Sequence, residues 1–307
     1  MLDRYITGTV HRQSPEAPVP VLLKSSEYSR IGGAANVALN VQALGSKATL
    51  IGVVGNDDNG ILVKHKLDKS NVDNHLVIDD TRVTTVKERY LNHKEHLLRV
   101  DQETSEHISS EVENKIVSNI LAVIHDVDGV ILSDYNKGML TSTLILNIIK
   151  IFKEHNKPVF VDPKFDNYHE YKSVNIFKPN KAEMLNAISV KELSLADSLL
   201  KSATELDAEL FICTLGGKGM ACVKDDEVRT YNAEQIDEVD VCGAGDTVIS
   251  ILSVGYLSGL ASNEICELAN VAGKIACLTA GVANVSLEDL QNDISRQEKD
   301  IIYTTKQ

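Results

Sequence analysis

Asp240-Val241-Cys242-Gly243-Ala244-Gly245-Asp246-Thr247 opens what reads as a long helix, Asp246–Leu257, apolar nearly all round and so buried. Its first residues are small. With no side chains in the way, a ligand can reach the N–H groups of the first turn, where the helix dipole adds partial positive charge. The turn therefore suits an anion. Asp246 lies in the same turn, and a carboxylate beside an anion costs Coulomb energy. A base that accepts a proton from an attacking hydroxyl fits this position, provided phosphate charge is neutralised nearby. So does a helix cap, because Asp is favoured there for the same dipole reason. The stretch alone leaves both roles open.

Three other segments carry chemistry. Ile31-Gly32-Gly33-Ala34-Ala35-Asn36-Val37-Ala38 is a second glycine-led helix start. Its glycines bring backbone close to a ligand, and Asn36 offers a donor and an acceptor, which suits a polyhydroxyl compound. A plain glycine turn is the alternative. Lys178-Pro179-Asn180-Lys181-Ala182-Glu183 follows an apolar run, Val174–Phe177. Asn180 and Glu183 have capping-box spacing. They could also hold water around Mg²⁺, an ion that keeps several waters and takes few protein ligands. Thr214-Leu215-Gly216-Gly217-Lys218-Gly219 follows the run Leu210–Cys213. Glycine loops at the carboxyl ends of sheet strands are where open α/β sheets put ligands. This one matches neither the P-loop pattern nor GxGxxG, and a hairpin turn into Met220–Val223 is the alternative.

The wider pattern places these segments. Ala48–Val54, Gly129–Leu132, Pro158–Val161 and Leu210–Cys213 are short apolar runs suited to strands buried on both faces. Helical patterns lie between them: Ala34–Leu44, Ile61–Leu67, Glu111–Ile124, Thr143–Phe152 and Leu195–Leu206. That alternation predicts a parallel sheet covered by helices on both sides. A second helix, Ile265–Leu278, follows Asp246–Leu257. Val19–Lys24, Thr84–Tyr90 and Glu95–Val100 alternate in polarity instead, and predict a small antiparallel sheet able to cover a site.

The chain has 307 residues and a net charge of −13 from 31 basic and 44 acidic side chains. No general field attracts nucleic acid, and no apolar run approaches the length of a membrane span. The N-terminus has no apolar signal core, which points to the cytoplasm. The five cysteines, Cys213, Cys222, Cys242, Cys266 and Cys277, are odd in number and lack CxxC spacing. A disulfide framework or structural zinc site is not expected.

Together these residues resemble the ribokinase-like, or PfkB-type, sugar kinases. Gly32–Asp57 and Asp240–Thr247 carry the likeness, in matching order and separation, and it runs through nearly the whole chain. The resemblance implies one three-layer α/β/α domain over 1–307, with a mostly parallel central sheet. It implies a small β lid from about 17–31 and 84–100, through which two copies pair. It implies ATP, Mg²⁺ and a sugar or sugar phosphate, with room for a monovalent cation such as K⁺. Asp246 would be the base, and the amides of Gly243, Ala244 and Gly245 would stabilise the transferring phosphoryl group. Asp3, Gly32, Gly33 and Asn36 would hold sugar hydroxyls. Asn180 and Glu183 would organise Mg²⁺ and phosphates through water. Thr214, Gly216, Gly217 and Gly219 would line the nucleotide side, with the Asn270–Ala276 helix near adenine.

A narrower likeness is to bacterial D-glycero-D-manno-heptose 7-phosphate kinases. It rests on Met1–Tyr5, Ser14–Pro20, Leu97–Asp101, Leu132–Tyr135 with Lys137-Gly138, and Asp162-Pro163-Lys164. It implies phosphorylation at C1 of the heptose, in ADP-heptose and lipopolysaccharide precursor synthesis. Arg99, Lys137 and Lys164 are the candidate cations for the sugar's own 7-phosphate. No HxGH nucleotidyltransferase motif is present, so a kinase without the adenylyltransferase is expected. Another sugar kinase, of ribokinase or phosphofructokinase type, and an inactive sugar- or nucleotide-binding homologue are the alternatives. Two departures stand out. The family's first strand, from the middle of the sheet, is missing before Met1, which predicts a true start upstream. Ala280-Gly281-Val282-Ala283 replaces the family's usual Gly-Thr.

Overall fold

The computed structural model describes residues 1–188, 193–237, 240–279, 281 and 284–304, with side chains to residue 296. The chain opens with two long strands, β1 (Leu2–Gln13) and β2 (Pro20–Ile31). Then come α1 (Ala34–Ala43), β3 (Thr49–Gly55), α2 (Asp58–Asp68) and β4 (Asp73–Asp79). The hairpin β5 (Val86–Asn92) and β6 (Glu95–Gln102) leads into α3 (Ser110–Val123), β7 (Val130–Ser133), α4 (Ser142–Glu154), β8 (Val159–Asp162) and β9 (Ile176–Phe177). After α5 (Lys181–Ala187) and α6 (Leu195–Leu206) come β10 (Leu210–Thr214), β11 (Met220–Lys224) and β12 (Glu227–Tyr231). Helices α7 (Ala244–Leu257), α8 (Ser262–Leu278) and α9 (Leu287–Thr304) follow.

Six strands form the central sheet in the order β12-β11-β10-β9-β8-β7, parallel from β7 to β10 and antiparallel at β11 and β12. Both faces are buried, and the two-residue period of a strand explains how. Val159, Val161, Phe211 and Cys213 point to one side, into a core made with Ile116 and Ile120 of α3, Ile145 and Ile148 of α4, and Leu199 of α6. Phe160, Leu210 and Ile212 point to the other, into a core with Val37 of α1, Ile249 and Leu252 of α7, and Ile265 and Ala269 of α8. The result is the expected three-layer α/β/α sandwich. Helix α7 is as buried as its composition predicts: 247–253 are all buried. Strands β3 and β4 pair in parallel as a separate two-stranded sheet, with Leu50 and Val54 in a third core beside α1 and α2.

The lid differs from the expected small antiparallel sheet. It has four strands, ordered β2-β1-β5-β6, and β1 pairs in parallel with β5. Strand β1 is absent from the sequence-based pattern because its polar and apolar residues serve two different faces. Asp3 and Tyr5 sit opposite Lys87 and Arg89 on one face, and Arg4 and Ile6 opposite Glu88 and Tyr90 on the other. Parallel pairing needs a long crossover, which α1, β3, α2 and β4 supply. Strand β2 continues beyond the expected run Val19–Lys24 to Ile31, where the lid was expected to end, and β6 runs past Val100 to Gln102.

Candidate active site

Helix starts are closed in different ways; α8 begins on Ala261, whose amide donates to Glu264 at 2.8 Å. Side chains cap α2 (Asp57), α3 (Ser109), α4 (Thr141), α5 (Asn180) and α6 (Ser194), each accepting a hydrogen bond from a first-turn amide. Helices α1 and α7 start on Gly33 and Gly243 with no side-chain cap. A terminus without a capping side chain leaves its amides to water or a ligand. Gly243 has φ +83°, in the left-handed region that favours glycine. Asp240 holds this turn in place, accepting from the Cys242 amide at 2.9 Å and from the Gly281 amide at 2.9 Å.

The two bare starts meet. Asn36 Nδ2 donates to Asp246 Oδ2 at 2.8 Å, and the Tyr135 hydroxyl donates to Asp246 Oδ1 at 2.8 Å. Burial, reinforced by the nearby charge of Asp162, pushes the Asp246 carboxyl up to about 6. The hydrogen bonds from Asn36 and Tyr135 and the charge of Lys178 work against that rise. Burial and Asp246 hold Tyr135 well above the usual phenol range, so it stays a proton donor. The loop carrying Tyr135 is fixed by buried Asp134, which accepts from the Tyr171 hydroxyl at 2.7 Å, Asn167 at 2.9 Å and the Asn136 amide at 2.8 Å.

A cation lies beside the glycine turn. Lys178, almost fully buried, pairs with Asp162 at 2.9 Å. A Cβ on Gly245 would stand 3.7 Å from the Lys178 ammonium. The neutralising charge that an anion next to Asp246 requires is thus present. Burial, together with the charge of Glu183, keeps the Asp162 carboxyl above its ordinary range despite Lys178. Asp162 and Glu183, each paired with a lysine, are oxygen donors of the kind that hold Mg²⁺ largely through water. Among the described residues no three His, Cys, Asp or Glu side chains converge as a direct metal cluster.

The sugar-side candidates also converge. Asp3 is 3% exposed and accepts from Arg89 Nη1 at 2.5 Å. Arg89 Nη2 reaches Cys242 Sγ at 3.7 Å, so one guanidinium links the lid to the residue before Gly243. Gly32 is there for closeness: a Cβ would lie 1.9 Å from Asp3 Oδ2. A cavity of about 450 Å³ borders Asn36, with Arg30 and Lys66 in its wall.

The remaining candidates each have other partners. Asn180 and Glu183 close a reciprocal capping box at 2.9 and 2.8 Å, and the other Glu183 oxygen takes Lys164. Thr214 bridges to Asn180 at the end of β10, and Gly216, Gly217 and Gly219 form the open turn into β11. Asn270 holds the end of β12, donating to the Tyr231 carbonyl at 3.0 Å. Ala276 is 1% exposed in the α7–α8 core, so its methyl group packs against helices and does not reach the site surface. Arg99 pairs with Asp101 on the outer lid strand, and Lys137 pairs with Glu103. Of the Ala280–Ala283 departure only Gly281 lies within the described residues. Sequence reasoning did not assign Arg89, Lys178, Asp162 or Tyr135 to the site. Their signal, a polar residue at the carboxyl end of a parallel strand or on the inner face of a lid strand, needs the register to be read.

The glycine turn and buried carboxylate of α7 face a buried lysine at the carboxyl end of a parallel strand, where open α/β sheets place ligands. The chain matches the pfkB family of carbohydrate kinases over residues 4–290, and it belongs to that family: it is a sugar kinase. It is 35% identical over 98% of its length to the bifunctional protein HldE of Helicobacter hepaticus, and 38% identical over 94% to HldE of Caulobacter vibrioides. It spans 63% and 61% of those relatives' lengths. Escherichia coli phosphofructokinase-2 shares the fold, with a TM-score of 0.78, 17% identity, and coverage of 95% of this chain and 94% of that one. Among the described residues no helix is long and apolar enough to cross a membrane.

Proposed function

We propose that this sugar kinase transfers the γ-phosphoryl group of ATP to C1 of D-glycero-β-D-manno-heptose 7-phosphate, in the cytoplasm, as a step of ADP-heptose synthesis. The likeness to the HldE proteins over nearly the whole chain supports the substrate class. The observation that carries the chemistry is Asp246, held by Asn36 and Tyr135 between the glycine turn and Lys178. In this reading Asp246 takes the proton of the C1 hydroxyl. The hydroxyl oxygen forms a bond to the γ-phosphorus as the bond to the ADP oxygen breaks. The amides of Gly243, Ala244 and Gly245 and the Lys178 ammonium stabilise charge on the transferring oxygens, the larger part of such catalysis. Asp3, Asn36 and the Gly32–Gly33 backbone orient sugar hydroxyls. Asn180 and Glu183, with Asp162 nearby, would hold Mg²⁺ through water, and the bound ion would supply charge neutralisation on the phosphates. Thr214 and the Gly216–Gly219 turn face the nucleotide, with Asn270 on the same side.

Arg99, Lys137 and Lys164 stay as candidates for the 7-phosphate, and Arg30 and Lys66 join them from the cavity beside Asn36. K⁺ belongs to the same reading; phosphofructokinase-2 of Escherichia coli has been solved in complex with potassium. Pairing of two lids is supported by exposed apolar residues on the lid, with Leu23 54%, Leu98 58% and Val100 44% accessible.

The test is ADP release from Mg²⁺-ATP with the heptose 7-phosphate, ribose and fructose 6-phosphate, with and without K⁺. Selective turnover of the heptose phosphate is expected. Preferred turnover of ribose or fructose 6-phosphate would overturn the substrate assignment. Thermal stabilisation by ATP without turnover of any sugar would favour a binding protein.

A further inference from the structure

Asn40 lies one helical turn after Asn36, in the seam between α1 and α7, and both side chains are buried. A leucine would fill such a helix contact with no polar group to desolvate. A buried amide is stable there only when its polar groups are paired. Asn40 Nδ2 donates to the Asn36 carbonyl at 3.0 Å and to Asn36 Oδ1 at 3.4 Å. Asn40 Oδ1 accepts from the Val285 amide at 3.1 Å and from the Thr247 hydroxyl at 3.3 Å. The side-chain amide of Asn284 also donates to Asn36 Oδ1, at 3.4 Å.

Two of the Asn40 partners are backbone groups, whose roles cannot reverse. The Val285 N–H can only donate, and the Asn36 carbonyl can only accept. Together they fix which end of the Asn40 amide faces which way. The Asn40 nitrogen faces Asn36, so Asn36 turns its own oxygen toward Asn40. That leaves the Asn36 nitrogen for Asp246, where it donates at 2.8 Å. A buried polar network with its members satisfied specifies one arrangement. Without Asn40, half a turn of the Asn36 amide would present an acceptor to Asp246. An acceptor suits a protonated carboxyl, which cannot act as a base.

We propose that Asn40 is a positioning residue that sets the hydrogen-bond polarity of Asn36, so that Asp246 meets a donor there and not an acceptor. The inference rests on the reading of Asp246 as the base. Asn40 acts through Asn36 and not on the reacting atoms.

A double-mutant cycle tests this, with Mg²⁺-ATP and whichever sugar of the panel above turns over fastest. Asn40→Leu keeps the approximate size and removes the hydrogen bonds. Its kcat should fall by about 3- to 10-fold, in line with one lost hydrogen bond, while the KM for ATP stays within about twofold. In an Asn36→Ala background the same substitution should change kcat by less than about twofold, because no amide remains to be oriented. A merely structural Asn40 would lower kcat equally in both backgrounds, and that result overturns the proposal. So does a wild-type kcat in Asn40→Leu. Asp246→Asn is measured beside them. If it keeps its kcat, the base assignment fails and takes this inference with it; if it loses kcat while Asn40→Leu does not, this inference alone fails. Where Asn40→Leu does not fold, Asn40→Ser serves instead. Its hydroxyl can still bond the Asn36 carbonyl one turn back but no longer orients the Asn36 side chain, so the same pattern of losses is expected.

Discussion

The N-termini of α1 and α7 use the same backbone device and differ in what surrounds it. Both begin on a glycine with positive φ and lack a capping side chain. At α1 the neighbours are Asn36 and the Asp3–Arg89 ion pair, and the turn's glycine is pressed against Asp3. At α7 the neighbours are Asp246, with a raised carboxyl, and the Lys178 ammonium. A bare helix start is therefore only an opportunity for binding. The charges and hydrogen-bond groups that the tertiary fold brings beside it make one suited to hydroxyls and the other to a transferring anion.

Removing the base should break this comparison most sharply. Asp246→Asn keeps the size and one hydrogen bond but cannot take a proton, and kcat should fall by about 100- to 10,000-fold. Stability should move the other way. The folded carboxyl is raised from 3.8 to about 6, so the native state holds an extra proton in that interval, and stability is lost as pH rises through it. At pH 7 an ionised Asp246 costs roughly 3 kcal/mol by this shift. Thermal melts of the variant should equal or exceed wild type above pH 6, with the advantage vanishing below about pH 4.

Next in size is Gly32→Ala. Its methyl group would occupy the place of the Asp3 carboxylate, so kcat/KM for the sugar should drop by about 100-fold, with the KM for ATP little changed. An equal loss in both substrates' KM would show that the two helix starts do not divide the work. Tyr135→Phe is smaller. It removes a hydrogen bond that holds Asp246 ionised, so the acid limb of kcat/KM against pH, centred near 6, should move to higher pH. At pH 8 the loss should be about 2- to 10-fold, the worth of one hydrogen bond. The smallest effect belongs to an ordinary capped helix. Ser109→Ala removes the cap of α3 and should cost about 1 kcal/mol in chemical denaturation without altering kcat or KM.

Much of the architecture was legible in the chain because both faces of the central sheet are buried. Runs such as Leu210–Cys213 need not alternate, and Leu195–Leu206 matches α6 to the residue. Strand β1 was not legible. Asp3, Arg4, Arg12 and His11 break its apolar pattern, and its neighbours come from residues 20–31 and 86–92. The site divides in the same way. Gly243, Gly245 and Asp246 stand together in sequence and could be read as a unit. Lys178 and Asp162 reach the turn only because β8 and β9 lie side by side and both end there. The spacing of Asn180 and Glu183 suits a cap and a water-held ion alike, and the capping box is present at 2.8 and 2.9 Å.

The sequence by itself determined the two glycine-led helix starts, the buried α7, the alternation of strands and helices, and the family likeness. Each is written in contiguous residues, through period, side-chain size or backbone freedom. Tertiary structure alone sets which groups face them: Tyr135 and Asn36 on Asp246, Lys178 beside Gly245, and Arg89 on Asp3. These pairs join residues dozens to hundreds of positions apart. Their energies depend on burial and on separations of a few ångströms, which strand register and helix packing set.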